Sequence, residues 1–445
     1  MSITQQLASW IIATGSEQIP DNVRHEARRA ILNYVGCALG GCRERAVEIA
    51  LKALSPYFGK PTARVFGRPD RMDPLHAALI NGISSHVLDF DDTTPSNYIH
   101  PSSPVASALF AYASTTPVAG ADLMHAFVLG FEAESRIGNA TYPAHYDAGW
   151  HSTGSIGVFG AAAAMGRLLD LPLQQMIWAI GLAATQAAGL REMFGSMGKG
   201  LHPGRAAQNG YAAALLAQAG FTAGEYGIEG PRGFAQVTAA RHDLSKVTEK
   251  LGSEYNLLVN TYKPFPCGIV VHPTIDACIQ IHREHRLSSR EIAAVDLKVA
   301  PLVLDLCNKQ RIKVGLEGKF SVFHAAAIGL VRGKAGIAEF TDATVNDPEV
   351  QRVRELATAK SDPAIGEDQV EVNVTLTDGR RITKRLEHSI GNLARPMTDR
   401  ELEDKFRDQA VAAVTRTQVD KLIGLCWKID TIADCNELIA AATPA

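Results

Sequence analysis

From residue 1 to about 260, apolar residues recur with a helical period in one segment after another. The spacing predicts helices over 20–39, 73–89, 102–116, 120–139, 152–170, 171–189 and 203–219, all rich in alanine. In AALINGISSHVLDF, GVFGAAAAMGRLL and GRAAQNGYAAALLAQ, small and apolar residues run right round the helix. These segments read as central helices buried on most faces. Near Tyr262 the period changes. IAAVDLKVAP alternates as a strand does, and DQVEVNVTLTDGRRITKRLEH reads as two strands joined at Asp378-Gly379. Helical stretches fall between them near 273–286 and 318–333, and MTDRELEDKFRDQAV opens a helical C-terminus with a threonine cap and an acidic first turn. The expectation is a mainly α protein. A large all-helical domain spans 1–262 with 396–445, and a smaller α+β domain spans 263–395. Periodicity alone leaves the membership of the C-terminal segment open.

Composition narrows the partners. A chain of 445 residues is long for one ordinary core, which also points to two domains. The formal net charge is −3 with both signs interspersed, so there is no basic stripe for nucleic acid and no polybasic patch for a membrane. A small molecule is the expected partner. The N-terminal MSITQQLASWIIATG lacks a basic leader region, and no apolar run reaches the ~18 residues of a membrane span. The seven cysteines show no CxxC spacing, against both a disulfide framework and a zinc knuckle, and the expected compartment is reducing cytoplasm.

Candidate chemistry falls in four places. His100-Pro101, His151-Ser152, His202-Pro203 and His272-Pro273 each stand at a predicted helix start, where the dipole disfavours imidazolium and free N–H groups can hold a carboxylate. GLREMFGSMGKGLHPGRAAQNG gathers Arg191, Lys199, His202 and Arg205 in a glycine-rich stretch, a cluster that a polycarboxylate requires. Its alternative is a solvated surface loop. Gly198-Lys199-Gly200 lacks the spacing and the terminal Ser/Thr of a phosphate loop. HVLDFDDTTPSNYIHP places His86 and Asp89 at i, i+3, followed by Asp91, Asp92 and His100. Either a carboxylate orients a catalytic imidazole there, the leading reading, or the group serves a metal-dependent hydrolase centred on His86, Asp89, Asp91 and Asp92. The absence of HExxH, an EF-hand loop or a repeated DDxxD weighs against metal. In TYKPFPCGIVVHPTIDA, Lys263 lies at the domain junction, where it can reach a cleft or sit as a solvated linker residue. No GxSxG elbow is present, and Cys267 reads as packing.

The segments His86 to Thr93, His100 to Ala106, Gly149 to Gly157, Gly189 to Gly210 and Lys263 to Ala277, in this order, resemble the MmgE/PrpD family over nearly the whole chain. That family includes 2-methylcitrate dehydratase, cis-aconitate decarboxylase and iminodisuccinate epimerase activities. The resemblance implies a helical domain with an α+β lid, a cleft site, a homodimer, and catalysis without metal or organic cofactor. By motif it carries catalytic positions to Asp89, His100, His151, Lys199 and Lys263, with Arg191 and His202 as neighbours. In GKFSVFHAAA the decarboxylase branch has a tyrosine where this chain has His324, also a substrate-binding candidate, which weakens a decarboxylase reading. The working expectation is a lyase in which His151 or His100 abstracts a proton beside a carboxylate, Lys199 and Lys263 hold the substrate, and Asp89 orients a histidine. Dehydration of a 2-methylcitrate-like acid is the favoured outcome, with decarboxylation and epimerisation as alternatives. A helical scaffold without activity is disfavoured by the clustering of His, Lys and Asp among apolar residues.

Overall fold

The computed structural model describes residues 1–444. Seven helices form the helical core: α1 (Asp21–Gly41), α2 (Pro74–His86), α3 (Ser102–Ala113), α4 (Gly120–Thr141), α5 (Gly157–Leu168), α6 (Leu173–Ala184) and α7 (Met197–Gln218). Helix α7 packs against α2, α3, α5 and α6, and α4 packs along α5. Nearly every residue of α3, α4 and α5 is buried, as their all-round small and apolar surfaces require. The close crossings depend on glycine. A Cβ on Gly82 of α2 would stand 2.5 Å from Gly204 Cα of α7, and one on Gly204 would stand 2.4 Å from the Leu79 carbonyl. At these crossings backbone meets backbone.

Two predicted boundaries move, each for a physical reason. Helix α7 starts at Met197, because the Ser196 side chain accepts from Gly198 N and caps it there. His202 and Pro203 therefore lie inside the helix, and Pro203 merely forfeits one intrahelical bond. Helix α2 stops at His86, because Asp89 adopts a left-handed φ of 53° that a helix cannot continue through.

A second cluster of buried apolar residues is drawn from Cys267 to Leu386, joined by Tyr98 and Tyr146. It holds α8 (His272–His285), β1 (Ile292–Val299), α9 (Val322–Arg332), β2 (Ala357–Ser361), β3 (Val370–Leu376) and β4 (Arg381–Leu386). The sheet order is β2-β1-β3-β4, with β1 and β2 parallel and the other pairs antiparallel. Val370, Val372, Val374 and Leu376 alternate inward, and α8 packs against β3 and β4. Gly379, at φ 86°, closes the β3–β4 hairpin. Strand β2 was not foreseen; only Ala357 of its five residues is buried, so it carries no apolar alternation. The C-terminal helix α10 (Asp399–Ala410) lies along α1, and its Leu402 and Phe406 join the core of the helical part. Among the described residues, no helix is long and apolar enough to cross a membrane.

Gly204→Ala is expected to lower unfolding free energy by about 1–3 kcal/mol, because the added methyl meets backbone that cannot rotate away. Gly224→Ala, where a Cβ meets nothing within 4 Å, is expected to stay within about 0.5 kcal/mol. Denaturant unfolding of the two variants checks the contrast.

Candidate active site

The site is built on the turn that follows α2. Its backbone carbonyls are taken in succession by buried side chains from distant parts of the chain. Lys319 Nζ donates to Leu88 O and Pro266 O, both at 2.6 Å, and Lys263 Nζ reaches Asp89 O at 3.3 Å. Lys405 of α10 donates to Phe90 O at 2.6 Å, and His100 Nδ1 bonds to Asp92 O at 2.8 Å. Burial lowers the Lys319 and Lys405 ammoniums to about 8 against the pull of neighbouring acids. Asp92 ties the turn to α3 and to the chain crossing: its Oδ2 accepts from Ser102 Oγ at 2.5 Å and Asn260 Nδ2 at 2.8 Å. Burial pushes its carboxyl up to about 7.

The left-handed turn carries Asp89 off the α2 face, so the expected i, i+3 pairing with His86 does not form. Instead Asp89 Oδ1 accepts from Lys199 Nζ at 2.7 Å and Lys263 Nζ at 2.6 Å. Burial raises the Asp89 carboxyl, but the two ammoniums overrule it and hold the group well below the usual carboxylate range. Burial also lowers Lys199 despite its acidic partner. Its ammonium lies 5.3 Å from the Phe194 ring centroid and 5.4 Å from that of Phe320.

His86 takes Asp91 as its partner, Nδ1 to Oδ2 at 2.8 Å, and Asp91 Oδ1 stands 3.4 Å from His100 Nδ1. Because a carbonyl can only accept, the His100–Asp92 bond places the His100 proton on Nδ1 and leaves Nε2 as the basic nitrogen, 4.0 Å from Asp89 Oδ1. His151 sits on a segment pinned by a bridge between Trp150 and Leu190, and its Nδ1 shares a proton with His202 Nδ1 at 2.8 Å. Burial chiefly lowers His86 and His202 to about 4 and holds His151 well below its ordinary value; Lys199 adds to it in each, and Asp91 opposes it at His86. His100 is lowered by burial against the pull of Asp91. The imidazoles are neutral at pH 7 because they are buried beside ammoniums. The helix starts invoked from sequence are not the main cause, and His202 does not stand at one.

One cavity of about 40 Å³ joins these groups. Asp89, Thr93, His100, His151, Lys199 and Lys263 form its polar wall, while Tyr98, Tyr146, Phe194, Ile269, Val270 and Phe320 contribute the apolar one. Thus the five catalytic candidates converge, with His202 directly behind His151. Arg191 does not line the cavity. Its guanidinium donates to Tyr146 O at 2.9 Å, pairs with Asp305 at 2.5 Å and stacks 4.2 Å over the Tyr146 ring. His324 does not line it either: it is fully buried on α9 with Nε2 3.0 Å from Glu339 O, and Phe320 reaches the cavity instead. Sequence reasoning missed Thr93, although it lies in the HVLDFDDT motif, and it missed Lys319 and Lys405, which no local signal marks. As for metals, a ring nitrogen of each of His86, His100 and His151 lies within 4.8 Å of the other two, and Asp89, Asp91 and His100 form a second such group.

Comparison with known proteins covers most of the chain. Residues 5–246 match the MmgE/PrpD N-terminal domain and residues 265–429 the MmgE/PrpD C-terminal domain. The cis-aconitate decarboxylase of Homo sapiens is 28% identical over 98% of this chain and 94% of its own length. That of Aspergillus terreus is 26% identical over 98% of this chain and 95% of its own.

Histidines held below their ordinary value lower the stability in acid, opposed by Asp92, whose carboxyl is raised to about 7. His86, His125, His145, His202 and His324 are all lowered to about 4, chiefly by burial, against an ordinary value of about 6.5. Their contribution is whole above pH 6.5 and is lost as pH falls toward 4, because the unfolded chain binds the extra protons there. Each contributes a slope of up to about 1.4 kcal/mol per pH unit in that window. Thermal unfolding between pH 7.5 and 4.5 is expected to show a steep fall in Tm with proton uptake on unfolding; a flat profile would contradict the assignment of neutral imidazoles.

Proposed function

The chain belongs to the MmgE/PrpD family, and on that premise we propose that it is a lyase that releases CO2 from a small di- or tricarboxylic acid of the cis-aconitate type. The observation that carries this reading is the convergence of Lys199, Lys263, His100 and His151 on one cavity. The printed activity of the relatives supports decarboxylation, and the dehydration outcome expected from the family has no such support. The His324 difference, which weakened the decarboxylase reading, falls on a packing residue. It no longer bears on the reaction.

In such an acid the bond to one carboxylate breaks, CO2 leaves, and the electron pair moves through the adjacent double bond to the carbon beside a second carboxylate. That carbon then takes a proton, forming the new C–H bond. Lys199 and Lys263 hold carboxylates and stabilise the enolate-like charge, and the apolar wall excludes water and strengthens both contacts. Asp89 occupies the two ammoniums until substrate competes for them. The proton comes from an imidazole, and His100 can deliver it only from Nε2, since Nδ1 is committed to Asp92 O. An anionic substrate offsets the field of the lysines and raises the imidazoles, so binding charges the acid that the last step needs.

Incubation with cis-aconitate in D2O, followed by NMR, is expected to show CO2 release and one deuterium on a carbon beside a carboxylate of the product. Water loss or addition without CO2 would replace this reading with a hydro-lyase, and deuterium exchange alone with an epimerase. Lys199→Ala and His151→Ala are each expected to lower kcat about 100-fold or more with the circular dichroism unchanged. Wild-type turnover in both would remove their roles. Calorimetry of substrate binding to the His151→Ala variant near pH 7.5, in buffers of different ionisation enthalpy, is expected to show proton uptake; the absence of uptake would sink the proposed charging of His100.

A further inference from the structure

His86 is the member of the HVLDFDDT region that the proposed reaction leaves unused, and it is the best poised for another role. Three imidazoles are anchored through Nδ1: His86 by Asp91 at 2.8 Å, His100 by the Asp92 carbonyl at 2.8 Å and His151 by His202 at 2.8 Å. Anchoring of this kind leaves Nε2 as the free nitrogen and fixes the ring, as metal-binding histidines require. The ring centroids lie 4.6, 5.8 and 6.1 Å apart, and a ring nitrogen of each lies within 4.8 Å of the other two. His86 is 1% exposed and its Nε2 has no hydrogen-bond partner. That lone pair is free to accept from or bind a ligand.

We propose that His86, His100 and His151 form a binding site for a divalent transition-metal ion of the zinc class. Three neutral imidazoles and one oxygen suit zinc, whereas magnesium and calcium prefer all-oxygen shells. Asp89, whose Oδ2 is buried without a partner and whose Oδ1 lies 4.0 Å from His100 Nε2, is the carboxylate on the Nε2 side that would complete the shell. Burial keeps the imidazoles neutral near pH 7, so the ion does not compete with protons there. The ammoniums of Lys199 and Lys263 oppose the dication, while Asp89 and Asp91 favour it. Because the ion takes the Nε2 atoms of His100 and His151, it inhibits turnover. That consequence rests on the proton-transfer reading above, whereas the binding itself does not.

The test is titration of the chelator-treated full chain with Co2+, followed by Zn2+. The expected result is the visible absorption of tetrahedral cobalt, saturating at one equivalent and abolished by zinc. No absorption, or only that of octahedral cobalt, would overturn the site. His86→Gln keeps a donor for Asp91 and is expected to weaken cobalt binding about tenfold or more. Unchanged affinity would place the metal elsewhere and also overturn the proposal. If that variant does not fold, His151→Gln reads out the same loss. A protein that binds cobalt as described yet acts on no carboxylic acid would sink the proposed function and leave the metal site standing.

Discussion

The contact on which the site depends is the buried carboxylate of Asp89 held between the ammoniums of Lys199 and Lys263. It joins the turn after α2, the first turn of α7 and the segment where the chain crosses into the second apolar cluster. The two ammoniums keep the Asp89 carboxylate charged at that depth, where an unpaired charge costs several kcal/mol. The triad therefore sets the relative position of three parts of the chain, and it does so at the place where chemistry is required. Around it the cations outnumber the anions. Lys199, Lys263, Lys319 and Lys405 face Asp89 and Asp91, with Asp92 raised to about 7. Of these groups Lys199, Lys263 and Asp89 line the cavity, which leaves its wall with a surplus of positive charge.

The helical part supplies a rigid platform for this charge. Glycine crossings between α2 and α7 bring backbones into contact, so Lys199 and His202 are carried on a helix with little room to shift against the turn that bears Asp89. The second cluster supplies the opposite wall through Ile269, Val270 and Phe320, and outside the cavity Lys319 bonds to the carbonyls of both Leu88 and Pro266. One side of the cavity thus fixes charge, and the other removes water. Both strengthen the attraction of an ammonium for negative charge.

The histidines show how environment assigns roles to identical side chains. His100 is locked in one tautomer by a carbonyl, His151 shares a proton with His202, and His86 is tied to a carboxylate away from the cavity lining. Their common neutrality has one cause, burial beside positive charge. Their different Nδ1 partners fix the three rings in different orientations.

The sequence by itself determined most of the core helices, the strands β1, β3 and β4, and, through their motifs, five candidates that meet at the cavity. Helical and alternating periods, caps and turn residues act over a few positions, and the motifs around Asp89, His100, His151, Lys199 and Lys263 are local strings. Tertiary structure decided the rest. The positive φ of Asp89 breaks the expected pairing with His86, and Asp89 faces Lys263, a residue 174 positions away. Lys319 and Lys405 reach the turn from 231 and 315 positions away, beyond any local signal. His324, read as facing substrate, turned inward to a carbonyl because α9 packs that face against the neighbouring 337–340 turn. Periodicity reports which face of an element is apolar. Which buried charges meet is set by long-range packing, because only packing removes the water that would otherwise screen them.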